Sequence, residues 1–280
     1  FDKRVLWFIP NLHLTPQAMV DIDNKWKNER PVFDSSFRPS IWCKAINDWI
    51  NILTWIYNMR ITYPNQPIYL GDDDIKNAFR LIKINPKLVP MHGFVDPDHL
   101  ILNTGMTFGN RNGPYNFDKP AMARAQHAEY LWGTADIDEL ETSMPIPKLQ
   151  TEELGKAIPY GRAQKDKYNK GVLDEKGKRL PTKYGGHHVD DLTYAEVKEY
   201  LERTVKCSVK AAEDTFGGAH ENQEKIVSDE KFNPVYREIR ILLEYQPNTR
   251  TMKVELSPRR REKIIKYLEE EDRKSTRLNS

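Results

Sequence analysis

No run of apolar residues in this 280-residue chain approaches the roughly 18 needed for a membrane-crossing helix. The richest stretch, Trp42–Tyr57, is interrupted by Lys44, Asp48 and Asn51. With a mean hydropathy of −0.72, a membrane-spanning bundle is excluded and no membrane partner is expected. Cysteine is scarce: Cys43 and Cys207 lack CxxC spacing, which suits a reducing, intracellular (cytoplasmic or nuclear) setting, while a single bridge between them stays open. Neither sign of charge dominates, since 43 Lys and Arg face 41 Asp and Glu. A net charge of +2 neither demands nor excludes a nucleic-acid partner. No internal repeat of solenoid length is present. What the chain does have is 39% hydrophobic and 10% aromatic residues with six Trp, enough for the core of one large domain or two intertwined ones.

The chain opens on Phe1 with no signal-peptide pattern, which reads as a piece of something longer. Residues 272–280 break the helical pattern before them and are expected to be a non-native or disordered tail. Between these ends, Ile41, Ala45, Trp49, Ile52 or Leu53, and Ile56 predict an amphipathic helix over 41–58, its tryptophans serving core packing rather than base stacking. Ile68–Gly71 reads as a strand running into the acidic triplet Asp72–Asp74. A helix is predicted over 119–132, with Asp118 as N-cap and Pro120 in its first turn; one begun at Gly113-Pro114 would need a kink at Pro120. Residues 134–185 are polar and proline-punctuated, with ten Lys and Arg against five Asp and Glu over 148–185. They are expected to form a solvated surface insertion, and less readily a nucleic-acid contact.

Thr193 and Glu196 fit a capping box for a helix reaching about Cys207. Alternation over 239–256 predicts a hairpin around Pro247-Asn248, and Ser257-Pro258 caps a helix carrying Ile264, Ile265 and Leu268. Strands and helices alternate without a regular βα rhythm, which favours an α+β fold.

Two acidic clusters sit at strand-like positions: Asp72–Asp74 and His188-Val189-Asp190-Asp191. Asp74 runs straight into Ile75-Lys76-Asn77-Ala78-Phe79, a strand entering a tight helical turn. Asp190-Asp191 lies between Gly185-Gly186 and Leu192-Thr193, as in a hairpin whose tip presents two carboxylates. Gathered carboxylates are costly unless a cation compensates them, and oxygen ligands of this kind suit Mg²⁺ together with substrate phosphates. Three successive carboxylates also repel and should raise at least one pKa, unless Asp72 or Asp73 faces solvent. His187 and His188, adjacent on a strand, point to opposite faces and make a poor metal pair. A third element, Thr107-Phe108-Gly109 through Gly113-Pro114 to Phe117, describes a loop approaching something closely before a helix.

In this order the elements resemble the reverse transcriptase family over roughly residues 5–270. Asp74–Phe79 followed by Arg80–Pro86 looks like its motif A, Phe108–Phe117 like motif B, and His188–Leu192 like motif C, with His188 where an aromatic is usual. Arg30–Asp34 and Ala45–Asp48 resemble the fingers segment of retroelement enzymes. Ile239–Tyr245 and Val254–Pro258 resemble the primer-grip hairpin and the start of the thumb, with Leu243 where a glycine is common. The resemblance implies a right-hand polymerase fold, with a ferredoxin-like palm, interleaved fingers and a truncated thumb. Its segments would be fingers over 1–66, palm over 67–86, fingers over 87–108, palm over 109–256 and the beginning of the thumb over 257–271.

The resemblance further implies an RNA-directed DNA polymerase acting on an RNA or DNA template-primer and dNTPs. Asp74, Asp190 and Asp191 would be its catalytic carboxylates and, together with Ile75, would hold two Mg²⁺ ions, for which Mn²⁺ can substitute, with Asp74 and Asp190 the foremost direct ligands. Ile75, Lys76, Asn77 and Ala78 would offer backbone N–H groups to the triphosphate. Phe79 would be the steric gate that favours dNTPs. Arg30 would contact the triphosphate with help from Lys25 or Lys27, Phe108 and Gly109 would line the nascent base pair, and Lys225 would protonate pyrophosphate. The alternatives are an RNA-dependent RNA polymerase, against which Phe79 argues, and a degenerate polymerase-like domain that only binds nucleic acid.

Overall fold

The computed structural model describes residues 12–15, 30–33, 48–96, 99–106, 113–188, 191–218, 226–227, 232, 234–242 and 245–278. Two short antiparallel strands come first, β1 (Leu12–Thr15) and β2 (Arg30–Phe33). Helix α1 (Asp48–Thr62) buries Ile52, Trp55, Ile56 and Met59, an i, i+3, i+4, i+7 spacing that places all four on one face. It extends four residues past the predicted end, and the predicted stretch 41–47 lies outside the described residues.

Strand β3 (Tyr69–Asp74) takes in the acidic triplet itself and is followed by the short helix α2 (Ala78–Leu81). A separate hairpin of β4 (Gly93–Asp96) and β5 (His99–Leu102) precedes the long helix α3 (Gly113–Thr134). This helix starts six residues before the predicted 119. Pro114 falls in its first turn, where a missing N–H costs nothing, and Pro120 is carried inside, leaving the Asn116 carbonyl without its usual donor. Burial of Phe117, Ala121, Ala125, Ala128 and Trp132 on one face carries the helix through that defect.

The remaining elements are β6 (Gln150–Glu152), β7 (Gly185–His188), β8 (Asp191–Glu196), α4 (Lys198–Phe216), β9 (Val235–Arg237), β10 (Tyr245–Asn248), β11 (Lys253–Leu256) and α5 (Pro258–Leu278). Five strands form one mixed sheet in the order β6-β9-β3-β8-β7, antiparallel except for the β6–β9 pair. Leaving β6 aside, the chain runs β3-α3-β7-β8-α4-β9, so each β-α-β unit is split by a strand of the other. Tyr69, Leu192 and Tyr194 face the core built with α3 and α4, whereas Leu70 and Ala195 face a second core built on α1.

Three expectations are corrected. Thr193 and Glu196 are strand residues, because pairing with β3 claims them; α4 begins only at Lys198 and runs to Phe216. The late hairpin forms with its turn over residues 249–252, directly after Pro247-Asn248, with Met252 in the left-handed region at φ 58 and the Asn248 Oδ1 accepting the Thr251 N–H at 3.0 Å. Helix α5, with the Ser257 Oγ accepting the Arg260 N–H at 3.4 Å, continues to Leu278, since 272–278 contain no Gly or Pro to stop it.

The polar stretch 134–185 is largely exposed, yet it is sewn into the core at several points. Its β6 extends the sheet, Val172 and Thr182 are fully buried, and Arg179 makes a two-pronged pair with the buried Glu196, both contacts at 2.9 Å. That guanidinium also lies 5.0 to 5.6 Å from the rings of Trp55, Trp132 and Tyr200. Arg179 with its carboxylate is one of these anchors, and none of them needs apolar periodicity.

Candidate active site

Strand alternation sorts the acidic triplet. Asp73 turns with Gly71 toward α3 and α4, while Asp72 and Asp74 turn to the opposite face. Asp73 is fully buried, ion-paired with Arg124, and accepts the Ser208 hydroxyl at 2.6 Å; the same Arg124 reaches the Ser208 Oγ at 3.2 Å. Asp72 is ion-paired with Arg240. The expected repulsion is therefore met by separate guanidinium partners on separate faces, not by exposure of Asp73.

Gly71 is required for this packing. A Cβ there would lie 2.2 Å from the Tyr194 ring and 2.8 Å from that of Tyr236. The two tyrosine hydroxyls meet at 3.2 Å beneath the strand, and burial pushes the Tyr236 phenol up to about 12.

On the other face, Asp74 stands directly across the ladder from Asp191. Opposed residues of neighbouring antiparallel strands hold their Cα atoms about 4.5–5.5 Å apart and share a face. Hairpin β7–β8 turns immediately before Asp191, with His188 paired to it. Asp190 lies outside the described residues, as do Phe108, Gly109, Lys225, Lys25 and Lys27. Among the described residues no group of three or more His, Cys, Asp or Glu gathers as a metal site. Two carboxylates on one face, with a third adjacent in sequence, nevertheless match the oxygen donor set Mg²⁺ takes. The Ile75 side chain is buried, so Ile75 can contribute only its carbonyl, which accepts a long 3.3 Å bond from the Ala78 N–H.

The turn after Asp74 is held from below. Ile75 forms a bridge with Val227, and the Lys76 N–H donates to the Ile226 carbonyl at 2.8 Å. Of the amides expected to face a triphosphate, those of Lys76 and Ala78 make hydrogen bonds within the protein. Lys76 and Asn77 are exposed, and Asn77 adopts the left-handed conformation at φ 54 that reverses the chain into α2.

Phe79 is half-buried. Its ring meets Phe117 edge-on at 5.8 Å, and Phe117 in turn stacks on Phe216 at 5.5 Å, so the Phe79 ring is braced by α3 and α4. Behind it, Gly105 presses on the Arg80 carbonyl, where a Cβ would come within 2.4 Å. Arg30 belongs to β2, paired with Thr15 of β1.

Sequence reasoning missed Arg124, Ser208 and Arg240. The signal was present in general form, because three adjacent acids on a strand need cationic partners. Arg124 and Ser208 lie 51 and 135 residues away from Asp73, however, and only the fold brings them there. No helix among the described residues is long and apolar enough to cross a membrane. Compared with known proteins, the chain matches no family model and no curated protein.

Proposed function

We propose that this chain is the catalytic core of an RNA-directed DNA polymerase, extending a primer 3′-hydroxyl with dNTPs on an RNA or DNA template. The observation that carries the reading is the register of Asp74 against Asp191 on adjacent strands of the sheet. The split β-α-β connectivity of that sheet, ferredoxin-like in its strand order, supports it as the arrangement expected of a polymerase palm. So does the position of Phe79, five residues beyond Asp74 and braced on Phe117.

Asp74, Asp190 and Asp191, with the Ile75 carbonyl, would hold two Mg²⁺ or Mn²⁺ ions, whose chemistry is to favour the primer alkoxide and to balance the triphosphate charge. The protein's own residues do the rest. Asp74 and Asp191 concentrate negative charge on one face of the sheet, while Arg240 neutralises Asp72 beside them and Arg124 neutralises Asp73 behind them. The Phe79 ring, unable to retreat into the Phe117–Phe216 stack, excludes a ribose 2′-hydroxyl from the space before it. The exposed Lys76 side chain next to that face favours an anionic substrate.

Primer extension tests the reading. The protein should extend a primer with dNTPs and Mg²⁺, and Asp191→Asn or Asp74→Asn should abolish incorporation while template binding is kept. Extension by NTPs in preference to dNTPs, or unchanged incorporation in both variants, would overturn it.

A further inference from the structure

At the opposite end of the sheet from Asp74 and Asp191 lies a cavity of about 470 Å³ between the start of α4 and the segment 142–151. Asp191 opens β8 and Lys198 follows its end, so the six-residue strand separates the two places by about 20 Å at ~3.3 Å per residue. Lys148, Lys198 and Lys206 line this cavity with a single carboxylate, Glu202. Lys206 is committed within the protein, donating to the Ile137 carbonyl at 3.2 Å and standing 3.9 Å from Glu202. Lys148 and Lys198 are exposed, and among the described residues neither has an ion-pair or hydrogen-bond partner. Beside Thr142 and Thr151 the lining carries an apolar patch, the buried Leu201 with the half-buried Ile146 and Leu149.

Like charges brought around one concavity repel, and a low-dielectric wall focuses their field on an anion entering it. A ligand that answers both features carries a compact anionic group and an apolar body. We propose that this cavity binds a nucleotide through its phosphate, with Lys148 and Lys198 on the phosphate and Leu201, Ile146 and Leu149 against the nucleoside. The site is independent of the Asp74–Asp191 pair: it needs no divalent ion and does not stand or fall with the polymerase reading.

The test is calorimetric titration of the full chain with AMP in EDTA, which removes divalent-ion-dependent binding elsewhere. The expected result is saturable one-to-one binding that weakens several-fold when salt rises from about 50 to about 200 mM, as the Debye length shortens. Lys148→Glu with Lys198→Glu should weaken it by roughly tenfold or more. The paired control Lys165→Glu with Lys170→Glu, on the exposed part of the same polar segment, should leave it unchanged. Both lysines of the test pair are exposed, and a circular dichroism melt equal to wild type would establish that the variant folds. No AMP binding overturns the proposal, as does binding indifferent to the charge reversal. Equal affinity for inorganic phosphate removes the role of the apolar patch, and lysine-dependent binding of a single-stranded oligonucleotide but not of AMP points to a backbone contact instead; either result overturns it too.

Discussion

Replacing Arg124 by Leu would strand a carboxylate in the middle of the sheet. Asp73 is fully buried, and the Arg124 side chain is 3% exposed, so water cannot take over the lost contact. The Ser208 hydroxyl, at 2.6 Å, would be the remaining side-chain donor to Asp73 among those identified. Breaking one side of a buried pair in this way costs about 3–5 kcal/mol. At about 2–4 °C per kcal/mol for a chain of this size class, the melting temperature should fall by about 6–20 °C. Ser208→Ala removes its bond to Asp73 and the one it accepts from Arg124 but keeps the ion pair, and should cost about 1.5–3 kcal/mol. Urea unfolding followed by tryptophan fluorescence measures both.

The decisive comparison is the double variant Asp73→Asn with Arg124→Leu. It no longer buries an uncompensated charge, so it should be more stable than Arg124→Leu alone. If Arg124→Leu lies within about 1 kcal/mol of wild type, or if the double variant is no more stable than the single, the reasoning that Arg124 compensates Asp73 is wrong.

Other consequences are open to simpler measurements. Phe79→Ala opens the space before the braced ring and should raise incorporation of NTPs relative to dNTPs by tenfold or more on a primer-extension gel, roughly the effect of about 1.4 kcal/mol; unchanged sugar selectivity would remove Phe79 from that role. Cys207 is buried and its thiol is pushed up to about 12, so in a Cys43→Ser background iodoacetamide at pH 8 should label it only after urea unfolding. Burial alone would raise Asp214, but hydrogen bonds from Lys210 at 2.7 Å and His127 at 2.8 Å outweigh it and lower its pKa below the usual 3.8. A depressed carboxyl pKa stabilises the fold above the unfolded value and loses that contribution as pH falls through the folded one. Asp214→Asn should therefore cost at most about 0.5 kcal/mol at pH 7, the pair being a third exposed, and nothing near pH 2.

Much of the candidate site was legible along the chain because its parts are local. Asp74 leads into a turn within three residues, and the spacing around Asp190-Asp191 describes a hairpin whose arms do pair as β7 and β8. Helices with a clear apolar stripe, such as α1 and α5, were likewise readable, since their period is a property of neighbours. The misplaced elements share one cause. Thr193 and Glu196 carry a helix-capping pattern, yet pairing with β3 is worth more than a cap and pulls both into a strand. Pro120 carries a helix-start pattern, yet a buried face running from Phe117 to Trp132 overrides it.

By itself the sequence determined which residues can carry charge to a common point, where the chain must turn, and that no segment is apolar enough for a membrane-crossing helix. It left the partners of those charges undetermined, because an arginine advertises no address. Tertiary structure alone decided that Asp74 meets Asp191 in register, that Arg124 and Ser208 come from two different helices to hold Asp73, and that Arg179 ties a polar segment to Glu196. The physical reason is that local preferences act over a few residues. A buried ion pair, by contrast, is settled only when elements far apart in sequence exclude water from the same place.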